Sequence, residues 1–209
     1  TQSILVKNGR VEGLSRNQNQ GFGVRVVVDG AWGFASSSML TLEEATRVAI
    51  HAAQIARASS LVKTSDVSLG PPEVHVARCQ TPMQIDPFCV SVEDKIALLL
   101  AADEGMRRAK GVTVTESSME FIRESKAFAS TEGSYIEQEF VESGAGIEAT
   151  AVGENEVQTR SYPNSFGRQQ RKGGYEFVHE LKLVENGQRI AEEAVSLSLI
   201  HISEPTRPY

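Results

Sequence analysis

Four histidines and two cysteines are the side chains of this 209-residue sequence best suited to binding a metal or moving a proton near neutral pH. Their spacing decides what they could do together. A helical H-E-x-x-H sets two imidazoles one turn apart on one face, with the glutamate beside the metal-bound water. His179-Glu180 opens such a motif, but the positions that should hold the second histidine, 183 or 184 in the longer form, are Leu183 and Val184. His75 and Cys79 have the i, i+4 spacing of a helical ligand pair. The prolines at 71 and 72 and the alternating Val74 and Val76 favour an extended chain there instead. His51 has Ile55, not an acid or thiol, one turn ahead, and Cys89 stands apart. His201 lies in the aperiodic run "LSLIHISEPTRPY". Serine and aspartate are plentiful, but no G-x-S-x-G elbow presents a nucleophile. No catalytic, cofactor-binding or metal-binding residue is assigned.

Two glycine pairs invite a nucleotide-binding reading. A dinucleotide fingerprint needs G-x-G-x-x-G between a strand and a helix, so that the helix N-terminus meets the pyrophosphate. After Gly21 and Gly23 the third position is Val26, and strand-like residues follow. Gly144 and Gly146 are the same case. Glycines that admit a bulge or a close backbone approach account for both pairs.

The elements that must position these residues are marked by turns and caps. Residues 3–6 are β-rich and lead to Asn8-Gly9, a two-residue hairpin signal. Val24, Val26 and Val28 alternate before a second tight turn at Asp29-Gly30, and Trp32 and Phe34 return. The first forty residues therefore predict an antiparallel meander. Thr41-x-x-Glu44 is a capping box for a helix ending near Ala58, with Ala45, Val48, Ala49, Ala52, Ile55 and Ala56 as its apolar stripe. After a proline-punctuated connector, Ser91 caps a second helix whose buried face is Val92, Ile96, Leu99 and Met106. Glu93 and Asp94 at its start, and Arg107, Arg108 and Lys110 at its end, suit the helix dipole. Gly111 is its stop.

Strand patterns resume at Val112, turn at Glu132-Gly133, and reach "GAGIEATAVG". That segment and "GFGVRVVVDG" share G-x-G-[VI]-x-[VA]-x-[VA]-x-G in one register, each preceded by a hairpin signal. A short internal repeat is the expectation, with convergence on common strand-and-turn grammar as the alternative. Val24, Val26 and Val28 should share one sheet face and be mostly buried, with Ile147, Ala149 and Ala151 in equivalent places. A third amphipathic helix contains Ile190 and Ala194.

Bulk composition narrows the function classes. A net charge of -6 argues against a phosphate-binding surface, so nucleic acid is not an expected partner. The nearest basic run, "GRQQRK" at 167–172, reads as a solvated loop. Two cysteines are too few for a secreted disulfide framework. No apolar run approaches the roughly 20 residues that cross a bilayer, and there is no charged-then-apolar leader. The expectation is a soluble cytoplasmic protein with no membrane partner.

With these elements in order, the chain resembles the TldD/PmbA metallopeptidase family. "VKNGRVEGLSRNQNQGFGVRVVVDGAWGFASSSMLTLEEATRVAIHAA" is similar to that family's amino-terminal hairpin, G-x-G-V-R strand, aromatic return strand and alanine-rich helix. "EGSYIEQEFVESGAGIEATAVGENEVQTRS" and "GGYEF" are similar to its later meander and the run before the next helix. The likeness covers about residues 3–197, and "WGFASS" lies closer to the TldD side. The resemblance implies cytoplasmic zinc-dependent peptidases that act on unfolded or short peptides. It also implies a homo- or heterodimer of TldD/PmbA-type chains, with the catalytic chamber between subunits. The family's H-E-x-x-x-H motif and remaining zinc ligand belong to a carboxy-terminal domain, so none of its catalytic or metal positions falls on a residue present here. Zinc is thus expected in the parent protein and not in this segment. A non-catalytic binding or scaffold subunit, of the PmbA-like partner type, is the alternative; a gyrase-modulating role carries less weight given the acidic balance.

The expected fold class is α+β: a twisted, largely antiparallel sheet from two β-meanders, with two long helices packed on one face. Residues 1–196 are expected to form one TldD/PmbA-like amino-terminal domain, truncated at both ends. Thr1 in place of Met, directly before a strand, supports that reading. Residues 197–209 resemble a translated sequencing adaptor and are expected to be an artefactual tail, leaving His201 without function.

Overall fold

The computed structural model describes residues 1–71, 73–153 and 156–199. The tail at 200–209, with His201, and Pro72 lie outside the described residues. Helices and mostly antiparallel strands make an α+β fold, in two compact units built from interleaved segments of the chain.

The larger unit holds a seven-stranded sheet. β1 (Gln2–Lys7) and β2 (Arg10–Arg16) form its first hairpin. Asn8 and Gly9 turn it with φ of 48° and 76°, the left-handed pair of a two-residue hairpin loop. β6 (Val112–Ala129) pairs with β1 on one side and with β7 (Tyr135–Val152) on the other. The free edge of β7 then takes three strands in tandem. β5 (Val76–Gln80) runs parallel to it, while β9 (Gln169–Lys172) and β8 (Val157–Tyr162) run antiparallel. The run at 167–172, expected as a solvated loop, therefore supplies a strand. Its backbone covers the stretch of β7 between β5 and β8, while most of its side chains stay in water.

One face of this sheet carries the core. Ile4, Val6, Met119, Phe121, Ala145 and Ile147 meet α2 (Val92–Arg107), and α4 (Leu183–Ser198) closes the layer. As expected, Ser91 caps α2, its hydroxyl accepting from the Asp94 amide at 3.0 Å. Leu99 and Met106 are fully buried, with Val92 and Ile96 packed partly against the core. α4 buries Ile190, Ala191 and Ala194 and approaches α2 closely at Gly187, where a Cβ would stand 2.8 Å from the Ala102 carbonyl. A short helix, α3 (Glu176–Glu180), precedes it.

The smaller unit pairs β3 (Phe22–Val28) with β4 (Ala31–Ser37) in a separate two-stranded sheet, turned at Asp29-Gly30, and packs α1 (Leu42–Ser60) on it. Val48, Ala52 and Ala56 are the buried stripe of α1. At Gly33 the strand passes so near the helix that a Cβ would lie 2.0 Å from the Ala52 carbonyl. Thr41 caps α1 as expected. The carboxylate of Glu44 does not complete the box; it turns to Arg47, which donates to it at 2.6 and 2.8 Å.

The expected repeat fails here. Its two G-x-G segments lie in different sheets, and the first forty residues divide between both sheets instead of forming one meander. Val24, Val26 and Val28 do share a face, but each is half-buried, whereas Ile147, Ala149 and Ala151 are fully buried. A two-stranded sheet under one helix cannot shield its strands as a seven-stranded sheet under two helices does.

Candidate functional site

The possible metal and proton ligands occupy different segments of the chain. His51 is exposed on α1, Cys79 is exposed on β5, and Cys89 is exposed just before α2. His75, extended as expected, hydrogen-bonds through its backbone amide to Ser134 Oγ at 3.0 Å, and its ring lies 3.4 Å from the Glu73 carboxylate. His179, on α3, packs edge-on against Tyr175 with ring centroids 5.0 Å apart. Among the described residues no three His, Cys, Asp or Glu side chains are grouped to hold a metal ion. This donor set does not fit a catalytic zinc, which needs three protein ligands in fixed geometry.

Both G-x-G pairs serve close packing. A Cβ on Gly144 would meet Gln170 Oε1 at 1.8 Å, and one on Gly146 would meet the Gly167 carbonyl at 1.9 Å. At Gly23 the obstacle is the Phe34 ring, 2.7 Å away. No helix N-terminus follows either pair, so neither cradles a phosphate.

The larger unit has a concavity of ≈ 320 Å³ on the sheet face away from the helices, lined by Leu5, Glu116, Ser118, Gly146, Glu148 and Arg168, among others. Strand register puts Lys7, Glu116 and Glu148 in one row and Leu5, Ser118 and Gly146 in the next. Lys7 pairs with Glu116 at 2.5 Å, and Arg168 donates to Glu120 at 2.6 Å. Burial, then the charge of Glu116, pushes the Glu148 carboxyl above its usual range, while Lys7 opposes the shift. Such a cleft can hold a proton and accept hydrogen bonds. Ser118 is its hydroxyl, and no histidine lines it to activate that group.

Two buried charges escaped sequence analysis. Lys95 is fully buried, donates to Gln2 Oε1 and the Pro87 carbonyl at 2.6 Å each, and lies 4.5 Å from the centroid of Phe121. Burial lowers its pKa. Asp103 is equally buried. It accepts from Thr115 Oγ1 at 2.6 Å and from Arg107 Nε at 2.8 Å, and Thr115 in turn donates its amide to Asn8 Oδ1 at 2.9 Å. These contacts tie the β1–β2 turn, α2 and β6 together. The only local sign was a charged residue on the apolar side of a helix; the partners, such as Gln2 for Lys95, are remote in sequence.

Comparison with known proteins gives these units a family. Residues 1–56 match the family model described as PmbA/TldA metallopeptidase domain 1, and residues 85–201 match that of the PmbA/TldA metallopeptidase central domain. The chain belongs to the PmbA/TldA metallopeptidase family. It is 27% identical over 199 residues to a metalloprotease of Methanothermobacter thermautotrophicus, covering 94% of this chain and 41% of the relative. A metalloprotease of Methanocaldococcus jannaschii is 24% identical over 201 residues, covering 95% and 42%. The chain thus spans about two-fifths of the length of these relatives. Among solved structures, the fold is similar to a Thermotoga maritima protein described as a candidate modulator of a DNA gyrase (TM-score 0.65, 20% identity, 94% of this chain and 42% of that one). It is also similar to TldE from Thermococcus kodakarensis (TM-score 0.59, 15% identity, 94% and 41%). No helix among the described residues is long and apolar enough to cross a membrane.

Proposed function

We propose that this chain is the amino-terminal, non-catalytic part of a cytoplasmic zinc-dependent peptidase that cleaves unfolded or short peptides. The observation that carries the reading is a pairing of two facts. Both family models that match are metallopeptidase domains, and the described His, Cys, Asp and Glu side chains offer no three-ligand site. The zinc ligands and the glutamate acting on the bound water would then belong to a part of the parent protein outside this sequence. The two units described here would help shape the chamber and the contact with a second TldD/PmbA-type chain. A non-catalytic scaffold subunit of a heterodimeric peptidase is the second reading, because the same dispersed donors suit it.

Turnover of an unfolded peptide by the complete parent protein separates the readings. Chelator-sensitive cleavage by that protein without a second chain type supports the first. Activity only with an added partner chain that carries its own zinc site supports the second. Absence of cleavage in every combination contradicts both.

A further inference from the structure

The outward face of the two-stranded sheet carries an unusual set of side chains. Strand register puts Gly23 opposite Ser36, Arg25 opposite Phe34, and Val27 opposite Trp32 on the side away from α1. Trp32 is 42% exposed, Phe34 51% and Val27 37%, so three large apolar groups face water on a sheet seven residues long. Arg25 is the one charge among these six residues. Its guanidinium carbon lies 5.5 Å from the centroid of the Trp32 ring and 5.9 Å from that of Phe34, within cation–π range of both. Phe34 also lies across Gly23. Beside it an open depression of ≈ 420 Å³ is bounded by Gly21, Phe22, Gly23, Phe34, Ser36 and Ser38.

We infer that this face docks an extended peptide bearing acidic and aromatic side chains. A guanidinium stacked against rings keeps its in-plane N–H donors available, and these match a carboxylate in two-pronged geometry. Among the described residues Arg25 has no carboxylate partner. The flanking half-exposed rings and the neighbouring depression offer contact area for an aromatic side chain. Among the described residues β3 and β4 pair only with each other, so each leaves an edge to which an extended segment can add by main-chain hydrogen bonds.

Charge selects this occupant over two others. A second copy docked face to face offers no acid among the same six residues to pair with Arg25. A nucleic acid would stack well on the rings, but a lone arginine supplies little of the multi-phosphate contact that drives such binding. The inference rests on the peptidase reading for its choice of a peptide. Its test reads binding and not turnover, so the two can fail separately.

Trp32 is the only tryptophan in the chain, which makes its emission a reporter of this face. The 209-residue chain is titrated with two matched peptides, one alternating Glu and Phe and the other alternating Lys and Phe. The expected result is a saturable change in Trp32 emission, with the Glu peptide binding about tenfold tighter, as one well-placed charge-assisted contact allows. Arg25→Ala abolishes the preference and Arg25→Glu reverses it, with far-UV circular dichroism unchanged because Arg25 is exposed. Equal binding of the two peptides, no saturable response, or an Arg25→Ala variant that keeps the preference overturns the proposal. So does tighter binding of a single-stranded oligonucleotide, or an emission shift that follows protein concentration without any peptide.

Discussion

β3 and the second half of β7 follow one pattern of glycines and alternating small apolar residues, yet they end in different surroundings. Ile147, Ala149 and Ala151 lie beneath α2 and α4 in the middle of a seven-stranded sheet and are sealed from water. Val24, Val26 and Val28 face a single helix from a two-stranded sheet and remain half-exposed. Alternation thus specifies a strand and the face it offers. How deeply that face is buried depends on which elements cover it, and those elements come from elsewhere in the chain. The glycines differ in the same way. Gly146 is closed in by a backbone carbonyl and Gly23 by a surface ring that can swing aside.

The largest effect expected from this difference is on stability. Ile147→Ala should cost about 2–5 kcal/mol, as core truncations that leave a cavity do. Val26→Ala, at a half-buried site, should cost about 1 kcal/mol. Urea unfolding followed by far-UV circular dichroism, with Trp32 emission reporting the smaller unit, measures both. Equal costs would mean that β3 is as well sealed as β7, and the contrast would collapse.

The glycines give a sharper and smaller test. Gly146→Ala drives a methyl into the Gly167 carbonyl and should destabilise by about 1–3 kcal/mol, the usual range for overpacking. Gly23→Ala meets only the Phe34 ring and should stay within about 0.5 kcal/mol of the parent. A larger loss from Gly23→Ala than from Gly146→Ala, read from the same unfolding curves, would reverse the assignment.

The smallest effects are pH-dependent and opposite in sign. Hydrogen bonds from Arg47 and then Ser37 hold the Glu44 carboxyl at about 2 in the smaller unit. The folded form therefore favours the carboxylate. Its stabilisation is complete above the unfolded value of about 4.5 and is lost as pH falls through 2. Burial and Glu116 raise Glu148 in the larger unit, so its carboxylate opposes folding at neutral pH and that penalty fades as pH falls through the raised value. Glu44→Gln should lower the melting temperature at pH 7 and remove part of the acid loss, while Glu148→Gln should raise it at pH 7. Shifts of the same sign would show that one of the two environments is misassigned.

Much of the local structure was legible in the sequence. Asn8-Gly9 and Asp29-Gly30 turn with positive φ because those residue types tolerate it, and Thr41 and Ser91 cap their helices through side-chain oxygens. The packing role of the G-x-G glycines was legible too. The assignment of strands to sheets was not, since β1 finds its second partner in β6, across more than a hundred residues. β9 was hidden by its charge, because pairing to β7 is made by its backbone while its side chains remain polar. The burial of Lys95 and Asp103 was hidden for a related reason: remote Gln2 and Phe121 make a buried ammonium tolerable, as Thr115 does a buried carboxylate.

The proposed function puts the catalytic zinc outside these 209 residues. The most direct test is elemental analysis of the purified, untagged 209-residue chain after dialysis with zinc present and then without it. The expected result is zinc far below one ion per chain, unchanged by substituting His75, Cys79 or Cys89, because no three such donors are grouped among the described residues. One zinc per chain, retained through dialysis, removed by chelator and lost with one of those substitutions, would contradict it.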